Sequence, residues 1–272
     1  MAFNVDRLFR DCIPNATSLR CRTWGGALRD ALALASRPAG LRRSVARACL
    51  AWLFMGCAQA APWQPPPPMV ISYDVEVAAK GLQLQGDGEL RWQQRAGDYD
   101  ASLMISALFV FKRTQSSTGH ASPAGLVPLK FQDHKRKVET WSFSPQQNKV
   151  TLPDGAQLPW PADGQDRVSM LIDIGRRTVA AQDQGEKRVR IPVISGSRLH
   201  HWEFEIQGKE TLVTGEGPLE TWRLERVDPQ RGSQQATLWL APRLYWMPAK
   251  LIIQESNGDA ATQVLRAHRL LP

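Results

Sequence analysis

The dominant signal in the stretch DYDASLMISALFVFK, residues 98–112, has period two. Tyr99, Ala101, Leu103, Ile105, Ala107, Phe109 and Phe111 fall on one side of an extended chain, and Asp98, Asp100, Ser102 and Ser106 on the other. Successive side chains of a strand point to opposite faces, so the pattern predicts a long antiparallel strand with one face buried and the other in water. The preceding GLQLQGDGELRWQQ puts Leu82, Leu84, Leu90 and Trp92 on one face, with Gly86 and Gly88 between them. Glycines inside a strand mark a bend or bulge, as in a strongly curved sheet. Ten further strand candidates follow, from PLKFQDH to TQVLRAHRL, many separated by Gly, Pro, Asn or Asp, which reads as a meander of hairpins. DGQDRVSMLIDIGRR alone clearly breaks this pattern. Its Val168, Leu171 and Ile172 share a helical face, Asp163 or Asp166 can cap the start, Gly175 can end the helix, and Arg176 and Arg177 suit the negative end of its dipole. The expected fold is all-β and mainly antiparallel: a strongly curved sheet or half-barrel, with one short helix near Gln165–Ile174 packed on the concave face.

This domain does not start at Met1. Arg42, Arg43 and Arg47 precede a continuous apolar run from Ala48 to Gly56, and Ala58-Gln59-Ala60 supplies small residues where a signal peptidase reads. The run is far shorter than the ~20 residues needed to span a bilayer, so the segment reads as an export signal cut between Ala60 and Ala61. Lipidation at Cys57 is the competing reading, with Phe54 and Met55 poorly suited to it. Ser44-Val45-Ala46 does not continue a twin-arginine pattern after Arg42-Arg43. Residues 1–60 are then signal and upstream extension from a start assigned too early, 61–68 (APWQPPPP) a proline-rich lead, and 69–272 a single β-rich domain. The expected location is the periplasm, with no transmembrane helix in the mature chain.

Removing that segment changes the chemistry. Nine arginines and three aspartates precede Ala61, so the formal charge falls from +8 to +2, and nucleic acid is not an expected partner. Cys12, Cys21, Cys49 and Cys57 all lie before the cut, which leaves no disulfide, cysteine nucleophile or thiolate metal site. The remaining 212 of the 272 residues are enough to fold around their own core.

Three stretches carry a family resemblance: SSTGHASPAGLVPLKFQDHKRKVETWSFSPQQNKV, DGQDRVSMLIDI and YWMPAKLIIQESNGDAATQVL. Together they resemble the domain of unknown function 3108 family over roughly Ser72 to Leu270. The resemblance implies an exported, β-rich bacterial protein similar to the half-barrels of lipoprotein carriers. It brings no catalytic residues.

Candidate chemistry is sparse. In HHWEFE, alternation puts His201, Glu203 and Glu205 on one face, a set able to bind a metal or move protons, although an ordinary amphipathic strand shows the same pattern. There is no G-x-S-x-G elbow, phosphate-binding glycine loop or H-E-x-x-H, no cofactor is implied, and an enzyme is the minority reading. Lys135, Arg136 and Lys137 form a basic cluster suited to an anionic headgroup; Lys187, Arg188 and Arg190 form another. Both also suit the solvated ends of hairpins. Eight of the ten tryptophans lie beyond residue 60. Trp92, Trp141 and Trp202, with Leu103 and Ile105, either fill the interior of the curved sheet or border an apolar cavity. The expected role is a non-enzymatic carrier of an apolar envelope ligand, or a scaffold binding another envelope protein through a strand edge.

Overall fold

A computed structural model of the protein describes residues 63–79, 82–107, 111–227, 234–254 and 257–272. The export-signal residues, including Ala58, Ala60 and Ala61, lie outside them. Fourteen strands form one sheet: β1 (Met69–Ala79), β2 (Leu82–Arg95), β3 (Asp98–Ala107), β4 (Phe111–Ser122), β5 (Gly125–His134), β6 (Val138–Ser144), β7 (Lys149–Thr151), β8 (Gln157–Pro159), β9 (Arg188–Ser195), β10 (Arg198–Thr214), β11 (Gly217–Arg226), β12 (Gln235–Ala241), β13 (Met247–Gln254) and β14 (Ala260–Leu270). The spatial order is β8-β7-β6-β5-β4-β3-β2-β1-β14-β13-β12-β11-β10-β9. Two meanders therefore run outward from a central seam where the first and last strands pair, Met69 opposite Leu270 and Ala78 opposite Ala260.

The expected alternation is present, with two corrections. The strand expected through Phe111 is two strands, since β3 ends at Ala107 and β4 begins opposite it at Phe111. The segments expected as two strands at LHHWEFEIQG and KETLVTG are one 17-residue strand, β10, whose ladder with β11 slips between Ile206 and Gly208. Gly86 and Gly88 sit in ladders without a register shift. At Gly86 the strands approach so closely that a Cβ would overlap the Ser106 carbonyl, so these glycines permit a bend rather than a bulge. Bulges lie elsewhere, at Ser72/Tyr73, Thr118/Gly119 and Trp239/Leu240, and each adds local twist.

Helix α1 (Ser169–Asp183) lies in the long connection between the two edge strands and packs inside the curved sheet against β5, β9 and β13. It extends nine residues beyond the Ile174 end expected from sequence. Gly175 does not terminate it; a Cβ there would sit 2.7 Å from the Trp246 carbonyl oxygen, so the glycine serves close helix–sheet approach. Asp166 starts the helix. Its Oδ1 accepts the Val168 and Ser169 N–H groups at 2.8 and 3.0 Å, and its own N–H donates to Ser169 Oγ, a reciprocal cap. Arg176 and Arg177 both pair with Asp173, which is fully buried in the helix, instead of serving the dipole.

The same connection covers one sheet edge. Gln165 exchanges backbone hydrogen bonds with β9 at Pro192 and Ile194, and Arg177 donates to the Arg190 carbonyl. The opposite edge, β8, is three residues long and ends in Pro159. Short, covered or proline-bearing edges resist strand addition. Within the proline-rich lead, the Pro66 carbonyl accepts Trp92 Nε1–H and the Pro68 carbonyl accepts the Leu271 N–H.

Candidate functional site

Strand β4 does not fit an apolar core. Its sequence, FKRTQSSTGHAS, turns Arg113, Gln115 and Ser117 inward, and all three are buried. Buried polar groups require partners, and each of these has one. Arg113 forms a two-pronged ion pair with Asp133 of β5, Nε to Oδ1 at 2.9 Å and Nη2 to Oδ2 at 2.5 Å. Gln115 Nε2 also donates to Asp133, at 3.3 Å, and Lys135 Nζ lies 3.5 Å from it. Burial pushes the Asp133 carboxyl up, but the Arg113 hydrogen bonds and charge, with Lys135 and Arg167, outweigh this and hold it below its usual range.

Ser117 Oγ donates to Asp166 Oδ2 and lies 2.8 Å from the Tyr99 hydroxyl, so a buried polar chain runs from β3 through β4 to the cap of α1. Burial raises Asp166 to about 6 despite the hydrogen bonds from Ser117, Ser169 and Val168. Burial, and next the Asp166 charge, raise the Tyr99 hydroxyl well above the ordinary phenol value, so it stays protonated.

Two cavities meet at this polar wall. One, of about 600 Å³, is open and basic; its lining includes Arg113, Lys135, Arg136, Lys137 and Arg167 against Asp133 and Glu139, a surplus of three positive charges. The other, of about 70 Å³, is an apolar slot bordered by Val75, Leu103, Ile105, Met170, Trp202 and Ile253, among others. Arg113 and Arg167 border both. Arg167 Nη1 donates to Ser195 Oγ at 3.3 Å, which helps to fix its guanidinium where they join.

The residues singled out from sequence divide between these places. Lys135, Arg136 and Lys137 line the basic cavity, as does Trp141, whose Nε1–H donates to the Gly196 carbonyl. Leu103, Ile105 and Trp202 line the apolar slot. Trp92 borders neither cavity; it is fully buried and stacks on Tyr99 with ring centroids 5.4 Å apart. His201, Glu203 and Glu205 share a strand face, but Arg188 and Arg190 both pair with Glu203, and the Arg190 hydrogen bond first of all holds it below the usual carboxylate range. Among the described residues, no group of three or more His, Cys, Asp or Glu side chains is placed to hold a metal ion, and no helix is long and apolar enough to cross a membrane.

The family described as "Protein of unknown function (DUF3108)" matches residues 72–266, which takes in the whole polar wall and both cavity linings. The chain belongs to the DUF3108 family. Among solved structures, this DUF3108 chain is similar to a β-barrel-like protein of domain of unknown function DUF1849 from Brucella abortus. The TM-score is 0.56 at 11% identity, over 76% of this chain and 99% of that one, which shows a shared fold. It also matches a DUF1329 family protein from Desulfovibrio piger ATCC 29098 (TM-score 0.27, 9% identity, 75% of this chain and 86% of that one). A putative outer membrane lipoprotein-sorting protein domain from Vibrio parahaemolyticus gives TM-score 0.27 and 9% identity, over 75% of this chain and 85% of that one. No curated protein matches the chain.

Reading apolar periodicity misses Arg113, Gln115, Asp133 and Arg167, because the inward row of β4 is polar. The outward neighbours Lys112, Thr114, Ser116 and Thr118 are polar as well, so residue type along β4 does not mark which row faces inward.

Proposed function

We propose that this DUF3108 protein is a non-enzymatic carrier that works in the periplasm after residues 1–60 are removed, and holds an envelope ligand with an apolar part and an anionic head. The observation that supports this reading is that Arg113 and Arg167 border both a basic, open cavity and an apolar slot. Ligand sites are mostly apolar clefts with a few fixed polar groups, and this one has that division. A scaffold acting through strand addition is less well served, because β9 is covered and β8 is short. The curved β-barrel-like fold shared with the DUF1849 protein is compatible with carriage and specifies no ligand.

Two measurements test the reading. Mass spectrometry of the processed protein is expected to give a mature chain starting at Ala61, without lipid on Cys57; a diacylglyceryl mass on Cys57 overturns the cleavage. Native mass spectrometry of gently purified protein is expected to show a co-purifying amphiphile, and added fatty acid is expected to change the emission of Trp202, which borders the slot. Ile105→Phe, which fills the slot from a half-buried position without adding an indole, is expected to weaken that response about tenfold or more. An Ile105→Phe variant that folds and responds like the parent removes the slot from the site.

A further inference from the structure

The polar residues that border the apolar slot are Arg113, Gln115, Arg167 and Gln263. Three of them are committed within the protein, Arg113 and Gln115 to Asp133 and Arg167 to Ser195. Gln263 is different. The residue is 4% exposed, and among the described residues its amide has no hydrogen-bond partner. The amide atoms are not sealed off completely, and the space they border is the slot.

The surrounding sheet explains why nothing in the fold serves this amide. Gln263 stands opposite Val75 of β1 and Leu251 of β13, both apolar, and its own row on β14 continues with Ala261 and Leu265. On the far side of β1 comes the glycine-bearing stretch of β2. A Cβ on Gly88 would lie 3.4 Å from Gln263 Oε1, so the amide rests over bare backbone there. Gly88 in turn pairs with Ile105 of β3, which also borders the slot. The glycine found in the sequence as a bend therefore also leaves the amide a place among apolar walls.

Burying an amide without a partner costs free energy, and an apolar side chain of similar size avoids that cost. A bound group that hydrogen-bonds to Gln263 removes the penalty. An amide with both N–H and C=O free matches a group that donates and accepts. A hydroxyl does both without carrying charge into apolar surroundings. The slot, about 70 Å³, has room for roughly two groups the size of a water molecule, which suits a hydroxyl and the carbon that bears it. A plain acyl chain leaves the amide unbonded.

Resting on the carrier reading above, we propose that Gln263 is a specificity-determining residue, and that the ligand is an amphiphile whose apolar part carries a neutral hydroxyl seated in the slot against the Gln263 amide.

Calorimetric titration of the purified protein with decanoate and with its 3-hydroxy, 6-hydroxy and 10-hydroxy derivatives tests this, since the series moves one hydroxyl along one chain. At least one hydroxylated probe is expected to bind about tenfold or more tightly than decanoate. Gln263→Met and Gln263→Leu remove the amide and keep an apolar side chain in its place. Both are expected to bind the four probes alike, and to melt no lower than the parent, because no hydrogen bond is lost.

Decanoate binding the parent as tightly as every hydroxylated probe overturns the proposal and leaves the carrier reading standing; water then serves the amide as well as a ligand does. A hydroxyl preference that survives in both variants overturns the assignment to Gln263. Variants that both melt clearly lower, or fail to fold, place the amide in the service of the fold and overturn its role in specificity. If none of the four probes binds, the hydroxylated-chain class is overturned, and the co-purification measurement decides separately on carriage.

Discussion

Arg113→Ala is expected to lower the unfolding free energy by about 3–5 kcal/mol, because it leaves the Asp133 carboxylate buried without its main partner. Lys135, 3.5 Å from the same carboxylate, softens the loss toward the lower end of that range. Asp133→Ala removes the two-pronged partner of Arg113 instead and is expected to fall in the same range. The double replacement Arg113→Met with Asp133→Leu removes both charges at similar volume and is expected to recover most of the stability, since a buried ion pair replaced by apolar groups is often neutral or better. Urea denaturation of the three variants measures this. A single-variant loss under about 1 kcal/mol, typical of an exposed pair, would mean that water reaches Asp133. The comparison bears on function too. If the double variant is as stable as the parent, packing does not require the pair, and its position between a basic cavity and an apolar slot becomes the reason for having it.

Asp166→Asn is expected to stabilise the protein at neutral pH. The carboxyl is held at about 6 when folded, above its ordinary 3.8, so the stability it confers is complete below its unfolded value and is lost as pH rises through 6. At 1.36 kcal/mol per unit the loss amounts to ~3 kcal/mol above pH 7. Asparagine carries no charge to bury. Its Oδ1 can still accept from Val168 and Ser169, and Ser117 can turn its proton to Tyr99 and accept from Nδ2. The difference between variant and parent should therefore be small at pH 4, grow between about pH 4 and 6 and level off at ~3 kcal/mol above that. Asp133, held below its usual range, gives a slope of opposite sign, but it is present in both proteins and cancels in the difference. Thermal melts from pH 4 to 8 read this directly, and a pH-independent difference would show that Asp166 is not the group responsible.

Much of the fold was legible because most strands place apolar residues every second position, and backbone pairing then leaves one curved, half-buried sheet. The inward placement of Leu103, Ile105 and Trp202 was legible for that reason, and the basic cluster at Lys135 to Lys137 because cations gather at a hairpin end. The interior polar wall was hidden for the converse reason. Arg113, Gln115 and Ser117 occupy core positions but read as solvent-facing in any hydropathy pattern, and their partners Asp133 and Asp166 lie 20 and 49 positions along the chain from Arg113 and Ser117 respectively. The C-terminal limit of α1 was misread at Gly175, because a glycine that lets Trp246 approach is written like a glycine that ends a helix. At HHWEFE the alternation was correct, but the cross-strand arginines that occupy Glu203 come from another strand.

The central seam has a consequence for how such a chain acquires its shape. Each meander can zip up from neighbouring hairpins, but β1 must wait for β14, with hydrogen-bonding partners as far apart as Asp74 and Arg266, 192 positions along the chain. Contacts so distant in sequence are entropically costly to close and slow folding. A chain emerging from its N-terminus thus holds β1 with one edge unpaired until the last eleven residues of strand arrive. Shortening the C-terminus by one strand would open the middle of the sheet rather than trim its border. The arrival of β14 is then also the step that joins the two halves, and a product that ends before it is left with two long unpaired edges exposed to aggregation.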